Sequence, residues 1–173
     1  MLNFDFKKSS RKCCQSEREF QPGDEFYSAL IEGEDGSTER RDYGTDQWDG
    51  PPDDCIGWWK SSVPETGKGR VYWAPKNVLL AFFEHVHSSP QTADVAYITG
   101  ILLVQKKVLT LEDDGGDASK MFLRNRSSKE TYELSVAEVT PARLAEIQDQ
   151  LAERLFMDQP VAADSDVEGV EES

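Results

Sequence analysis

The sequence predicts an α+β fold, and three observations carry the prediction. Two β-like runs flank a Gly-rich turn near residue 35, two helical periodicities follow between residues 75 and 105, and three short β runs precede a last amphipathic stripe. The order of elements is an N-terminal β-hairpin with an aromatic loop, a helical hairpin, a three-stranded antiparallel meander and a C-terminal helix. One domain over residues 13–156 is expected to hold them, with the hairpin and aromatic loop in 13–74 and the helices and meander in 75–156. Residues 1–12 form a basic N-terminal segment, and residues 157–173 an acidic tail.

Residues 25–31 supply Phe26, Tyr27, Leu30 and Ile31 in a strand-like run after the turn signal Pro22-Gly23. Gly33-Glu34-Asp35-Gly36 is the hairpin turn. In the return strand, residues 37–43, Thr38, Arg40 and Asp42 alternate with Glu39, Arg41 and Tyr43. Both sides are polar, which predicts an edge strand guarded by charge.

From 44 to 75 the chain reads as irregular, since Gly50-Pro51-Pro52, Pro64, Gly67 and Gly69 interrupt every period. All four tryptophans, Trp48, Trp58, Trp59 and Trp73, fall in or beside this region. Such a cluster either packs over the hairpin or lines a recess, and packing is the expectation because aromatics serve cores more often than surfaces.

Pro75 opens a helix whose stripe is Val78, Leu79, Phe82, Phe83 and Val86, closed by Ser88-Ser89-Pro90. A second helix over residues 92–105 places Val95, Ile98, Leu102 and Leu103 on one face, with Thr92 as N-cap and Asp94 in the first turn. The meander strands are residues 108–112, 121–125 and 131–136, and the two β regions are read as able to join in one sheet. Thr140-Pro141 caps and opens the last helix, with Leu144, Ile147, Gln148, Leu151 and Leu155 along one side. Past Phe156 the chain turns small and acidic without aromatics, a composition that cannot offset its ordering entropy, so residues 157–173 are expected to be disordered.

The formal charge of −14 on 173 residues excludes nucleic acid as a general partner, because even without the tail the remaining −8 repels phosphate backbones. The one basic cluster is Lys7, Lys8, Arg11 and Lys12, read as a solvated end. No apolar run reaches the roughly 20 residues of a membrane helix, and the first residues have no signal-peptide core. Three cysteines, two of them adjacent, do not make a disulfide framework and point to a reducing cytoplasm.

Cys13-Cys14-Gln15-Ser16 ahead of a Pro-Gly turn has the outline of a zinc-ribbon knuckle. Gly44 and Gln47 repeat the i, i+3 spacing on the far side of the hairpin. Of Cys13, Ser16, Gly44 and Gln47, the positions with this paired spacing, only Cys13 is a ligand type, so no metal or other cofactor is expected. If the ribbon geometry is present it has lost its metal, and were a metal bound its ligands would come from Cys13, Cys14 and Cys55. His85 and His87, two apart on a helix, diverge too far to share an ion. Neither the cysteines nor the glycine pairs at 67–69 and 115–116 stand in a catalytic or phosphate-binding setting, so no catalytic residue is assigned.

The set Cys13-x-x-Ser16, Phe20-x-Pro22-Gly23-Asp24-x-Phe26-Tyr27-Ser28-x-Leu30, Arg40-Arg41-Asp42-Tyr43, Trp48, Gly57-Trp58-Trp59-Lys60-x-x-Val63-Pro64 and Leu102-Leu103-Val104-Gln105-Lys106-Lys107 resembles a family of uncharacterised bacterial proteins of the planctomycete type. The resemblance spans roughly residues 13–107 and implies a bacterial cytoplasmic context, with no activity and no site residue to carry over. The sequence therefore points to a non-enzymatic protein-binding or scaffold module using Trp48, Trp58 and Trp59 with Arg40, Arg41 and Lys60. The partner is expected to be another protein, with no nucleic acid and no membrane. The alternatives are a zinc-ribbon-derived metal protein and a small-molecule enzyme.

Overall fold

The computed structural model describes residues 11–65, 72–113, 116 and 118–160. Its fold is α+β, and the chain divides into two compact units. The sheet unit comprises described residues up to Val78 together with those from Asp149 onward. The helical-hairpin unit runs from Leu79 to Gln148.

In the sheet unit, β1 (Glu25–Glu32), β2 (Thr38–Gly44) and β3 (Cys55–Ser62) form an antiparallel sheet in the order β2-β1-β3. The hairpin forms as its turn chemistry dictates. Gly36 N–H donates to Gly33 O and Gly33 N–H to Ser37 O, while the Asp35 carboxylate accepts from the backbone N–H and hydroxyl of Ser37. Strand β2 lies at the edge, as its polar alternation predicts. Strand β3 corrects the expectation of an irregular loop. Eight residues rich in aromatic and small side chains, CIGWWKSS, find a partner strand in β1 that local punctuation by Gly and Pro had concealed.

The short strand β4 (Tyr72–Trp73) pairs with β8 (Phe156–Met157), and β9 (Gln159–Pro160) extends the sheet beside the end of β3. The expected tail therefore starts later than residue 157. Met157 is buried, and Asp158 is buried and gripped by the Arg11 guanidinium at 3.0 and 3.2 Å. Packing of Trp73 edge-on to Phe156 at 4.4 Å anchors this strap. Residues 161–173, and the basic cluster apart from Arg11 and Lys12, lie outside the described residues.

The helical-hairpin unit follows the sequence closely. Helix α1 (Lys76–His87), which enters the unit at Leu79, buries all five residues of its predicted stripe. Helix α2 (Ala93–Gln105) buries more than one face, because Ala96, Thr99 and Gly100 join Val95, Ile98, Leu102 and Leu103 in the core. At Gly100 a Cβ would stand 2.8 Å from a Leu123 methyl and 3.1 Å from one of Leu134, so the missing side chain lets the meander lie against the helix. Thr92 does not cap α2 with its side chain. Its hydroxyl donates back to Val86 O at 2.6 Å, and the Asp94 carboxylate takes the Val95 N–H instead.

The meander is β5 (Leu109–Glu112), β6 (Lys120–Asn125) and β7 (Thr131–Ser135), a sheet of its own and not an extension of the first. Asn125 builds its second turn by accepting from the N–H groups of Ser127 and Ser128. Helix α3 (Pro141–Leu155) starts as predicted, with the Thr140 hydroxyl accepting the Arg143 N–H. Arg143 also ties the start of α3 to Asp94 of α2 at 2.8 Å.

Candidate functional site

The pleat of the first sheet decides which candidate residues share a face. Tyr27 lies opposite Tyr43 on one side and Lys60 on the other, and Ala29 lies between Arg41 and Trp58. These residues occupy the outer face with Ile31. Across the bulge between Leu30 and Ile31, Cys55 and not Ile56 pairs with Ile31 and joins the outer cluster.

The loop between β2 and β3 folds Trp48 back onto this face. Its ring stacks on Tyr27 at 4.8 Å and 8°, tilts against Tyr43 at 5.2 Å and meets Trp58 at 5.7 Å. Buried Ala29 clusters with Ile31 and Tyr43, and Tyr27, Trp48 and Cys55 pack against that cluster. Trp58 is the member left open, with 44 % of its surface exposed. Lys60 completes the arrangement. Its ammonium lies 5.3 Å over the Tyr27 ring and 2.9 Å from Glu25, whose carboxylate holds the lysine above its ordinary pKa. Arg41 pairs with Glu39 at 3.0 Å, both side chains exposed.

Of the six sequence candidates, Trp48, Trp58, Arg41 and Lys60 share this face. Trp59 and Arg40 do not, because alternation turns them inward. Trp59 is 2 % exposed, and the Arg40 guanidinium lies 5.1 Å over its ring. Arg40 is spent internally. It pairs with buried Asp42 at 3.2 Å, donates to the Ser28 hydroxyl, and caps the end of α3 by donating to the carbonyls of Phe156 and Glu153. A helix end and its following strand expose carbonyls that need donors, and an inward-facing arginine on the edge strand meets that need. Tyr27 and Tyr43 were missed as members of the site. Their signal was present in the shared parity of positions 27 and 43 across the hairpin, but it became useful only once β3 supplied a third strand.

The knuckle residues also converge in part. Gly44 N–H donates to Cys13 Sγ at 3.4 Å, and Cys13 packs with Phe20, Phe26 and Val63. Burial pushes the Cys13 thiol up, but hydrogen bonds from Gly44, from the hydroxyl and N–H of Ser16 and from the N–H of Gln15 outweigh it. The thiol ends below its ordinary value. Gly44 itself is crowded: a Cβ there would stand 2.8 Å from an Asp46 carboxylate oxygen and 3.1 Å from the Arg18 guanidinium. Cys14 is exposed, and desolvation raises its pKa, as it does for half-buried Cys55, whose thiol donates to Gly57 O. The three cysteines are free thiols, and among the described residues no group of three or more His, Cys, Asp or Glu is placed to hold a metal ion.

In the helical-hairpin unit an open cavity of about 330 Å³ is bordered by His87, Ser88, Ser89, Glu133 and Ser135. Its histidine is committed: His87 Nε2 lies 2.9 Å from Glu133 O, and the ring stacks against Phe83 and meets Tyr132 edge-on. The Ser88 hydroxyl donates to His85 O, so this serine and this imidazole are not paired for nucleophilic chemistry. Among the described residues no helix is long and apolar enough to cross a membrane.

The described residues form an α+β fold, and on one face of its first sheet four of the sequence candidates gather with paired charges. Comparison with protein-family models, with curated proteins and with solved structures returned no match.

Proposed function

We propose that the chain is a non-enzymatic protein-binding module of the cytoplasm, and that it recognises its partner through the outer face of the first sheet. The observation that carries this is Trp58. It packs against the rings of Tyr27 and Trp48, yet keeps nearly half its surface open, with Lys60 two positions along the same strand and Arg41 beyond Ala29. A rigid, half-open tryptophan amid polar pairs is the composition of an interface anchor, since it buries large area on binding at little entropic cost. Three free thiols support a reducing compartment.

The test is affinity capture with the full chain against its Trp58→Ala variant. Trp58 packs at the surface, so the variant is expected to keep its far-ultraviolet circular dichroism and cooperative thermal unfolding and lose the captured partner. Unchanged capture by a folded Trp58→Ala protein refutes the reading.

A second reading concerns ancestry and rests on the Cys13–Gly44 contact. An N–H directed at a buried, hydrogen-bonded thiol is how zinc knuckles hold a thiolate, which supports a ribbon whose metal role has passed to packing. Stoichiometric zinc in the purified protein would replace this reading with a metal protein.

A further inference from the structure

The charges around the aromatic face specify its occupant further. From Thr45 to Asp54 the loop that carries Trp48 holds four exposed acids, Asp46, Asp49, Asp53 and Asp54, and no base. The nearby cations are already matched: Arg18 to Asp46 at 3.6 Å, Arg41 to Glu39 and Lys60 to Glu25. Asp49, Asp53 and Asp54 have no cation beside them among the described residues, so the loop bordering the open tryptophan carries uncompensated negative charge.

We infer that the occupant of this face is a basic segment of a partner protein, with an arginine laid over the Trp58 ring and its neighbouring basic residues beside the acidic loop. The inference rests on the proposed protein-binding role and names the partner's chemistry. Arginine is chosen over lysine because its planar guanidinium stacks on indole while still reaching carboxylates. The fold makes the same contact internally, where Arg40 covers Trp59 on the opposite face of the same strand. A second copy of the chain is disfavoured by charge, since each carries −14 and the same acidic loop. Anionic lipid and nucleic acid are disfavoured on the same ground.

The experiment uses the full chain and a fluorescent synthetic peptide of alternating Arg and Gly, with Lys-Gly and Glu-Gly peptides as comparisons. The Arg-Gly peptide is expected to bind with quenching of tryptophan fluorescence, more tightly than Lys-Gly, and more weakly as salt is raised. Trp58→Ala should weaken it by about tenfold. The triple variant Asp49→Asn, Asp53→Asn, Asp54→Asn should weaken it as well and flatten its salt dependence. Neutralising three exposed acids of the same unit outside this loop, by Glu65→Gln, Asp149→Asn and Glu153→Gln, should leave it nearly unchanged.

Equal binding of the Glu-Gly peptide, or an equal loss in the two charge-neutralised triple variants, overturns the inference. So does self-association of the unmodified chain that Trp58→Ala abolishes. Failure of the two readings is distinguishable. If Trp58→Ala removes captured partners while the Arg-Gly peptide does not bind, the binding face stands and the basic occupant falls. If Trp58→Ala leaves capture intact, the face itself falls.

Discussion

Replacing Arg40 separates a binding role from a structural one. In the structure its side chain is 8 % exposed and that of Asp42 is 4 % exposed, and the two are linked at 3.2 Å with the Ser28 hydroxyl donating to the same carboxylate at 2.6 Å. Arg40→Met keeps most of the volume but leaves Asp42 without its cation and the α3 carbonyls without their donor. Removing one member of a buried ion pair costs about 3–5 kcal/mol, much of it the stranded charge. The double variant Arg40→Met/Asp42→Leu removes both charges, and its cost should fall to about 1–2 kcal/mol. The residue of the cost comes from the Ser28 hydroxyl and the α3 carbonyls that lose their partners. Urea denaturation followed by circular dichroism gives both values, and with the single variant Asp42→Leu added, the difference between the double variant and the sum of the two singles measures the pair. A loss below about 1 kcal/mol for Arg40→Met would refute the buried-network argument and return Arg40 to the surface.

Three further outcomes are expected. Burial, with help from the Glu84 and Glu130 carboxylates, pushes the Tyr132 phenol up to about 12. The unfolded chain ionises this group near 10, so stability from this residue is full below that pH and is lost as pH rises from there through about 12. The loss is about 2–3 kcal/mol, and Tyr132→Phe should remove that slope in alkaline denaturation. Gly100→Ala should destabilise by about 1–2 kcal/mol despite the better helix propensity of alanine, since the new methyl meets buried Leu123; an increase in thermal midpoint would contradict the packing. Under native conditions a thiol reagent should modify Cys14 first, Cys55 slowly and Cys13 only on unfolding, because access and not thiolate character separates them. Mass spectrometry of partially labelled protein reads the order directly.

The local elements of this chain were legible because their signals are short-range. Turn chemistry at Gly33-Glu34-Asp35-Gly36, the stripe from Val78 to Val86 and the Thr140 cap each act within a few residues, and each element formed where its pattern lies. Strand β3 was not legible, since its β1 partner lies far off in sequence and its flanking glycines and prolines imitate a loop. The candidate site divided the same way. Trp58 and Trp59 are adjacent and chemically identical, and no local property tells which is the anchor and which the core.

By itself, then, the sequence determined the helices, the hairpin, the meander and the excess of negative charge, all of which follow from periodicity and composition. Only the tertiary structure decided that Arg40 faces inward to meet the carbonyls ending α3, that the chain as far as Pro160 belongs to the sheet unit, and that Tyr27, Tyr43, Trp48 and Trp58 share one face. The physical reason is that strand register and pleat assign a side chain to core or solvent, and register is a property of two strands that neither encodes alone.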